Sequence, residues 1–484
     1  MLTQKQNIRW PIIGISAFLL GGCAGDYIDP DGPGYRQYIE QNIPLATAAN
    51  IEQGEIRELS LEDAIDLGLA RNLELRLAAY DTLAASQNLD LTRMEAFPGV
   101  QARASHVGRS NEGASSSRSV ITGSESLEPS ISTDQYRHTM ELETSWNLLD
   151  VAMTVLRSKT ASDQARIAAE RQRKVAQDLT RDITIAYYQA WVAQQNLDRL
   201  NQLKADGITQ LDHLGTAMDE RLISGEIGVR KQEQLLDRIR QLTAKERDLA
   251  VADIELKTLL NLPPSTKLRL KDMDRIEDPV KNMPVASDDI AALEQYALMH
   301  RPELKEQILN KNIALRGKRQ AVLETFPGAE FLLTFHYDSN QFLQDDRWVS
   351  TTSSLVQSIT KLITLPQRYE ASQTEEKMAD ERAKSAIALI LAQVNISKRL
   401  VDLEAQNYTL VQNRGKAASR KAQIARIRAE DGLGTRENNI IAAMDAALVQ
   451  TEQDLAYVEL QSAYARLLNT LGRTTYFMRG EHIS

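Results

Sequence analysis

The chain holds one cysteine in 484 residues, only 5% aromatics, and 13 prolines that leave two very long stretches untouched, 130 to 262 and 367 to 484. A single thiol excludes a disulfide framework. So few bulky rings beside 25% charged residues leave little for a wide globular core and much for long, wetted helices. With a formal charge of -9 and no basic stripe, the composition argues against a phosphate-rich partner, so no nucleic acid is expected. Catalytic constellations are also missing: no phosphate loop occurs, and the Ser-rich stretch 111–134 has no partner base. The six histidines show no ligand spacing, so no enzyme, cofactor or metal centre is expected. His106, His138 and His336 fall on expected strands, and as pore-lining metal contacts they form a minor alternative.

What is present begins with the address of that cysteine. Lys5 and Arg9 precede an apolar run from Trp10 to Leu20, and Leu20-Gly21-Gly22-Cys23-Ala24 follows. This reads as a bacterial secretory signal over 1–22, ending in a sequence that resembles the lipobox of exported lipoproteins, with Cys23 the acylated residue. The plainer reading is an ordinary signal peptide with a chance cysteine. Ala24 after Cys23 favours the outer membrane, by resemblance to lipoprotein sorting rules. Residues 23–58, rich in Pro, Gly, Asp and Asn, read as a tether.

The rest is duplicated. Leu61-Glu62-Asp63-Ala64 leads through a helical pattern to Phe97-Pro98-Gly99, and Leu293-Glu294-Gln295-Tyr296 leads to Phe326-Pro327-Gly328, with the Phe-Pro-Gly elements offset by 229. Later landmarks recur near 207, so the second copy is expected to be shorter by about 22 positions. The repeats span 59–262 and 291–471, with a linker at 263–290 between them and a tail at 472–484. Proline forbids each helical run from continuing, and the apolar period then changes to two. Val100, Ala102 and Ala104 alternate with polar residues, as do His138 to Trp146 and Ala329 to Tyr337; a fourth run goes from Trp348 to about Ile359. Each is about ten residues, the length of a membrane-spanning strand. Loops at 111–134 and 338–347 separate them, the longer without any apolar period. Trp146 and Trp348 suit an interfacial aromatic belt, and buried tryptophan in a soluble sheet is the competing reading.

Long helices follow. From Ala152 to about Leu222 good helix formers dominate, and roughly seventy residues at about 1.5 Å each make a rod near 100 Å. A Gly-containing tip near Gly225 precedes Leu235, Leu242, Leu249 and Leu256 at heptad spacing, a coiled-coil return. The second copy has a matching tip near Gly432, then Ile441, Leu448 and Leu455, and both returns close on Leu-Leu-Asn. Four amphipathic strands cannot close a barrel alone and would leave unpaired edges in a bilayer. Three chains sharing one barrel of about 12 strands solve that problem, with the helices arranged around the same axis.

This duplicated plan of helix, Phe-Pro-Gly, strand, loop, strand, long helix and tip resembles the TolC family of outer-membrane efflux proteins, from about 59 to 472. Tyr337-Asp338-Ser339-Asn340-Gln341-Phe342-Leu343, then Trp348 and Leu365-Pro366, are similar to a lipoprotein branch of it. The resemblance implies a mainly α fold with a β-barrel: four strands per protomer completing a 12-stranded barrel in a homotrimer, continued by a coiled-coil tunnel. It implies a bacterial outer-membrane location, lipid-anchored at Cys23 and extending into the periplasm. The implied function is a passive exit duct for efflux or type I secretion, partnered by a periplasmic adaptor and an inner-membrane RND or ABC transporter. The Arg-x-x-x-Gly elements Arg221 to Gly225 and Arg428 to Gly432 are similar to the family's adaptor-docking motif, with Gly228, Gly434 and Thr435 beside them. Helix capping is the plainer role for these glycines. Arg426, Glu430 and Asp431 are pore-entrance candidates, a solvated helix end being the alternative. Phe97, Pro98, Gly99, Phe326, Pro327 and Gly328 are expected helix-to-strand hinges. The competing function is a periplasmic coiled-coil structural lipoprotein without a pore.

Overall fold

The computed structural model describes residues 57–473 except 127, 272–282 and 284–288, together with residue 37. Cys23, the signal segment, most of the tether and most of the tail lie outside the described residues.

The first described strand, β1 (Arg57–Leu59), pairs in parallel with β6 (Leu268–Leu270), so the end of the expected tether and part of the expected linker form one small ladder. Tyr187 donates its hydroxyl hydrogen to the Leu59 carbonyl at 2.9 Å and the Gln194 side chain accepts from the Leu270 amide at 2.9 Å, which fixes the ladder to a long helix. Ser60 then starts helix α1 (Leu61–Arg71) with a reciprocal capping box to Asp63. The helical run toward Phe97 is not continuous. It breaks at Asn72, whose side chain caps α2 (Leu73–Met94). In the second copy α6 (Ile290–His300) and α7 (Pro302–Leu323) break at Arg301, where Pro302 occupies the first turn.

Strands β2 (Gly99–Gly108), β5 (Tyr136–Asn147), β7 (Gly328–Asp338) and β8 (Arg347–Val356) form one antiparallel sheet in the order β2-β5-β7-β8. The fourth strand ends at Val356, short of the expected Ile359, which instead opens the short helix α8 (Ile359–Ile363). The segment 111–134, expected as a loop, contains a small exposed hairpin of β3 (Ala114–Ser115) and β4 (Ser130–Ile131) with a further bridge between Arg118 and Glu125. Its pairing rests on backbone and hydroxyl hydrogen bonds, such as the Ser119 amide to the Ser124 carbonyl at 2.8 Å, which leave no trace in an apolar period.

Helix α3 (Leu148–Asp219) is a 72-residue rod. The return is broken into α4 (Gly225–Ala250) and α5 (Ala252–Leu259), whereas in the second copy α9 (Leu365–Glu430) goes out and an unbroken α10 (Arg436–Thr470) comes back. Leu235, Leu242, Leu249 and Leu256 are all buried, as a heptad seam requires. The second return differs from expectation. Leu448 is buried, but so are Ala442, Met444, Ala447, Val449, Val458 and Leu460, and no single seam exists. The reason is position: α10 packs on both α3 and α9, so it needs apolar residues on more than one side.

Beside the sheet the helices run in the order α2-α3-α7-α9, which repeats the strand order β2-β5-β7-β8. Each strand thus has a helix in the same lateral position. Among the described residues, β2 and β8 each pair on one side only, and α2 and α9 stand at the matching edges.

Candidate functional site: the strand faces and the hairpin tips

Register assigns every strand residue to a face, because directly opposed residues in an antiparallel pair share one. Ala102, Leu142, Phe335 and Val349 form one cross-strand row, and Ala104, Met140, Tyr337 and Arg347 the next on that side. Trp146 and Phe331 are paired at the Phe-Pro-Gly end of the same face. This face is an apolar band with aromatics toward both ends. The opposite face carries Arg103, Glu141 and His336, with Arg103 to Glu141 at 3.3 Å and His336 to Glu141 at 3.4 Å.

Trp348 belongs to that polar face, stacked on His336 with ring centres 4.9 Å apart, so it does not share a belt with Trp146. The three strand histidines also divide. His106 and His138 are directly opposed on the side of the apolar band, and His336 is on the other. They do not line one surface.

At the expected helix-to-strand hinges, Gly99 and Gly328 are the first residues of β2 and β7. A side chain at Gly99 would meet the Ser145 Oγ at 3.0 Å, and one at Gly328 the Asn147 side chain at 3.2 Å. Phe97 and Phe326 are both exposed, and their amides bond back to the Met94 and Leu323 carbonyls at 3.0 and 3.1 Å, closing the last helical turn before Pro98 and Pro327.

At the far ends of the rods the structure corrects the register expected from the sequence. The first rod ends with the Leu222 amide on the Ala217 carbonyl at 2.9 Å; the second ends with the Leu433 amide on the Arg428 carbonyl at 2.8 Å. These are the six-to-one bonds of Schellman endings, and each needs a residue in the left-handed region just before. Arg221 with φ 57° fills that place in the first tip and Gly432 with φ 70° in the second. The structural offset is therefore 211, not 207. Asn261 and Gly472, with φ 52° and 76°, end the two returns at the same offset, so Leu-Leu-Asn is also out of structural register. Since Gly99 and Gly328 are 229 apart while Tyr136 and Arg347 are 211 apart, the second copy is 18 positions shorter, and the loop contains the whole difference.

The two Arg-x-x-x-Gly elements consequently lie one helical turn apart in the fold. Gly225 starts α4 and has open space around it, whereas Gly432 makes the turn; Ser224 is the counterpart of Thr435 as the residue before the return helix. Gly228 is buried, and a side chain there would collide with Met218. Gly434 packs against Arg428 and Ala429, at 3.2 to 3.3 Å from where a Cβ would stand. Leu222 and Leu433, 71% and 80% exposed, occupy equivalent apical positions. The Arg-x-x-x-Gly pattern does not mark this pair. Their own signal is Leu-x-Ser and Leu-x-Thr, visible only once the left-handed residue is used as the anchor. Gly432→Ala should cost about 1 kcal/mol, since no neighbour is within 4 Å and the penalty is conformational, while Arg221→Gly should be neutral or stabilising. Parallel thermal scans of the two variants would check the opposite signs.

Charge at the tips is arranged within the chain. Arg426 and Glu430 form an exposed pair at 3.7 Å along one helix, and Asp431 follows as the helix cap. Lys231 of α4 pairs with the buried Glu437 of α10, and Arg238 meets Asp445 at 2.6 Å, so the two return helices are pinned to each other. Burial opposes ionisation of Glu437, but the Lys231 ammonium and nearby hydrogen bonds outweigh it and hold the carboxyl below its ordinary 4.5. A depressed carboxyl contributes stability above the unfolded value and loses it as pH falls through the folded one. Glu437→Gln should therefore lower the apparent Tm at neutral pH and lose that effect toward the acid end, read in a pH series of thermal scans.

No described helix is long and apolar enough to cross a membrane. Among the described residues, a four-stranded sheet with one apolar and one polar face, open at both edges and prolonged by paired helical rods, defines the architecture of the chain. Residues 64–225 match the profile of the outer membrane efflux protein family. The chain is 24% identical over 308 residues to the probable efflux pump outer membrane protein TtgC of Pseudomonas putida, and equally to the antibiotic efflux pump outer membrane protein ArpC of the same species. Each match covers 61% of this chain and 59% of the relative, so the chain spans about three fifths of those proteins. In structure the chain is similar to the outer-membrane channel OprN, with a TM-score of 0.65 at 17% identity over 88% of this chain and 95% of that one. The Campylobacter jejuni CmeC outer membrane channel gives 0.67 at 12% identity, over 88% and 91%. The resemblance to outer-membrane efflux proteins is borne out: the chain carries that family's sequence pattern over 64–225 and the channel fold over most of its length.

Proposed function

We propose that the chain is one third of an outer-membrane channel-tunnel, a passive exit duct. The observation that carries this is the coincidence of open edges. Among the described residues β2 and β8 have no partners on their outer sides, α2 and α9 stand at the same two edges, and apolar side chains such as Leu77, Tyr80, Leu91 and Met94 on α2 are exposed. An unpaired edge is untenable in a bilayer, and a head-to-tail joint between unlike edges closes into a ring when the rotation fits. Three chains then supply about 12 strands, enough for a water-filled lumen. The polar face with Arg103, Glu141 and His336 lines that lumen, and the apolar band meets lipid.

The homotrimer would meet a periplasmic adaptor at the tips, through the apical Leu222 and Leu433 and the surrounding turns, and so couple to an inner-membrane RND or ABC transporter. Arg426, Glu430 and Asp431 would stand at the entrance. No catalytic step is involved. Acylation of Cys23 would add a lipid anchor to the outer-membrane location. The alternative, a coiled-coil structural lipoprotein, is disfavoured by the sheet, because a scaffold has no use for an apolar face of bilayer height.

Purified protein reconstituted in a planar bilayer should give stepwise conductance; a folded trimer that never conducts would refute the channel. Loss of adaptor crosslinking in Leu433→Asp, with the trimer intact, is the expected result for docking. Lipid labelling that persists in Cys23→Ala would exclude acylation at that residue.

A further inference from the structure

We propose that His106 and His138 form a two-imidazole binding site for a borderline divalent cation, Zn²⁺, Ni²⁺ or Cu²⁺, at the root of the long surface loop. The two residues are directly opposed across β2 and β5, close to the point where the chain leaves the sheet into residues 109–135. Their ring centres are 4.6 Å apart, with planes tilted by 34°. Two imidazole nitrogens held about 2.0–2.1 Å from one ion, at angles from about 90° to about 109°, place ring centres about 4.5–5.2 Å apart. The observed spacing lies in that interval.

The surroundings hold the pair in place. The His138 amide donates to the Ser339 Oγ at 2.8 Å, and the Ser339 amide donates to the His138 carbonyl at 3.0 Å, so the second copy of the repeat clamps this strand position. On the other side, Tyr136 lies parallel to His106 with ring centres 6.2 Å apart. Gly108 permits this, because a side chain there would stand 3.0 Å from the tyrosine ring. His106 and His138 are both exposed on the same side of the sheet, near its rim. Imidazole suits these ions, and water completes the coordination shell. Among the described residues no group of three or more His, Cys, Asp or Glu side chains is placed to hold a metal, so the site is a chelate of two protein ligands.

A bound ion would join the two legs of the loop where they emerge, and would tie the edge strand β2 to β5. This claim concerns binding at a sheet surface and does not require that the assembly conduct. Untagged protein in detergent, titrated with Ni²⁺ or Zn²⁺ in a calorimeter, should bind one ion per chain. Affinity should fall at least about tenfold in His106→Asn and in His138→Asn, and stay unchanged in His336→Asn, whose ring is on the opposite face. With Cu²⁺, electron paramagnetic resonance should report two nitrogen ligands. Absence of saturable binding to the folded wild-type protein, or wild-type affinity in both Asn variants, would overturn the site. Planar-bilayer conductance measured on the same preparations separates failure of this site from failure of the channel reading.

Discussion

Leu142→Arg should prevent stable assembly in the membrane, while Thr352→Arg should leave assembly intact and shift ion selectivity toward anions. Leu142 stands in the row Ala102, Leu142, Phe335 and Val349, in the middle of the apolar band, and is exposed in the single chain. Arginine near the midplane of a barrel's lipid face costs about 2–4 kcal/mol, and the proposed trimer would incur that cost in every protomer. Thr352 is opposed to Leu332 and belongs to the other face. There a guanidinium would enter water and add positive charge to the proposed duct. Trimer mobility on gels with and without heating, and reversal potentials in asymmetric salt, would read the two outcomes. If the sheet were a small soluble one, an exposed Leu142 would tolerate arginine with little effect. Normal assembly of Leu142→Arg would therefore count against the barrel itself.

Arg301→Ala should destabilise the body by about 3 kcal/mol, the low end for removing one partner of a buried ion pair, because Glu303 keeps part of its water. The Arg301 side chain is only 7% exposed, and it sits at the break between α6 and α7. Its guanidinium forks onto Glu303 at 2.9 and 2.7 Å and donates to the Thr470 carbonyl at 3.0 Å, the end of α10. One side chain thus ties three helix ends together. Burial works against the Glu303 charge, but Arg301 outweighs it and keeps the carboxyl below the usual range; Lys174 at 3.2 Å contributes as well. Lysine cannot reproduce the planar fork, so Arg301→Lys should recover little of the loss. Because Glu303 is depressed, its share of stability is present above the unfolded carboxylate value and is lost as pH falls through the folded one. Apparent Tm from acid to neutral pH would test this in wild type and both variants. Glu303→Gln should converge on wild type at the acid end, and Arg301→Ala should stay below it, since the bond to the Thr470 carbonyl does not titrate.

Much of this fold was legible in the residues because the relevant signals are local. Pro98 and Pro327 end a helical period wherever they occur, and alternation from Val100 or Ala329 marks a strand without reference to any partner. The same is true of Leu235, Leu242, Leu249 and Leu256, whose heptad seam needs only one helix face. Other features depended on neighbours. The breaks at Asn72 and Arg301 arise from capping and a buried ion pair, and neither interrupts the apolar pattern strongly. Trp348 joins the polar face through its pairing with His336, which no period within its own strand reveals.

The tips show the division most clearly. By itself the sequence determined that there are two copies, where the four long strands and the rods occur, and that each rod turns back at a Gly-containing segment. Only the tertiary structure decided the register of those turns, with Arg221 in the place of Gly432 and Leu222 in the place of Leu433. It also decided which strand residues share a face and which edges stay open. The physical reason is that periodicity and proline act within one segment, whereas the direction of a turn, a sheet face and a free edge are defined by which hydrogen bonds the backbone closes once it is folded.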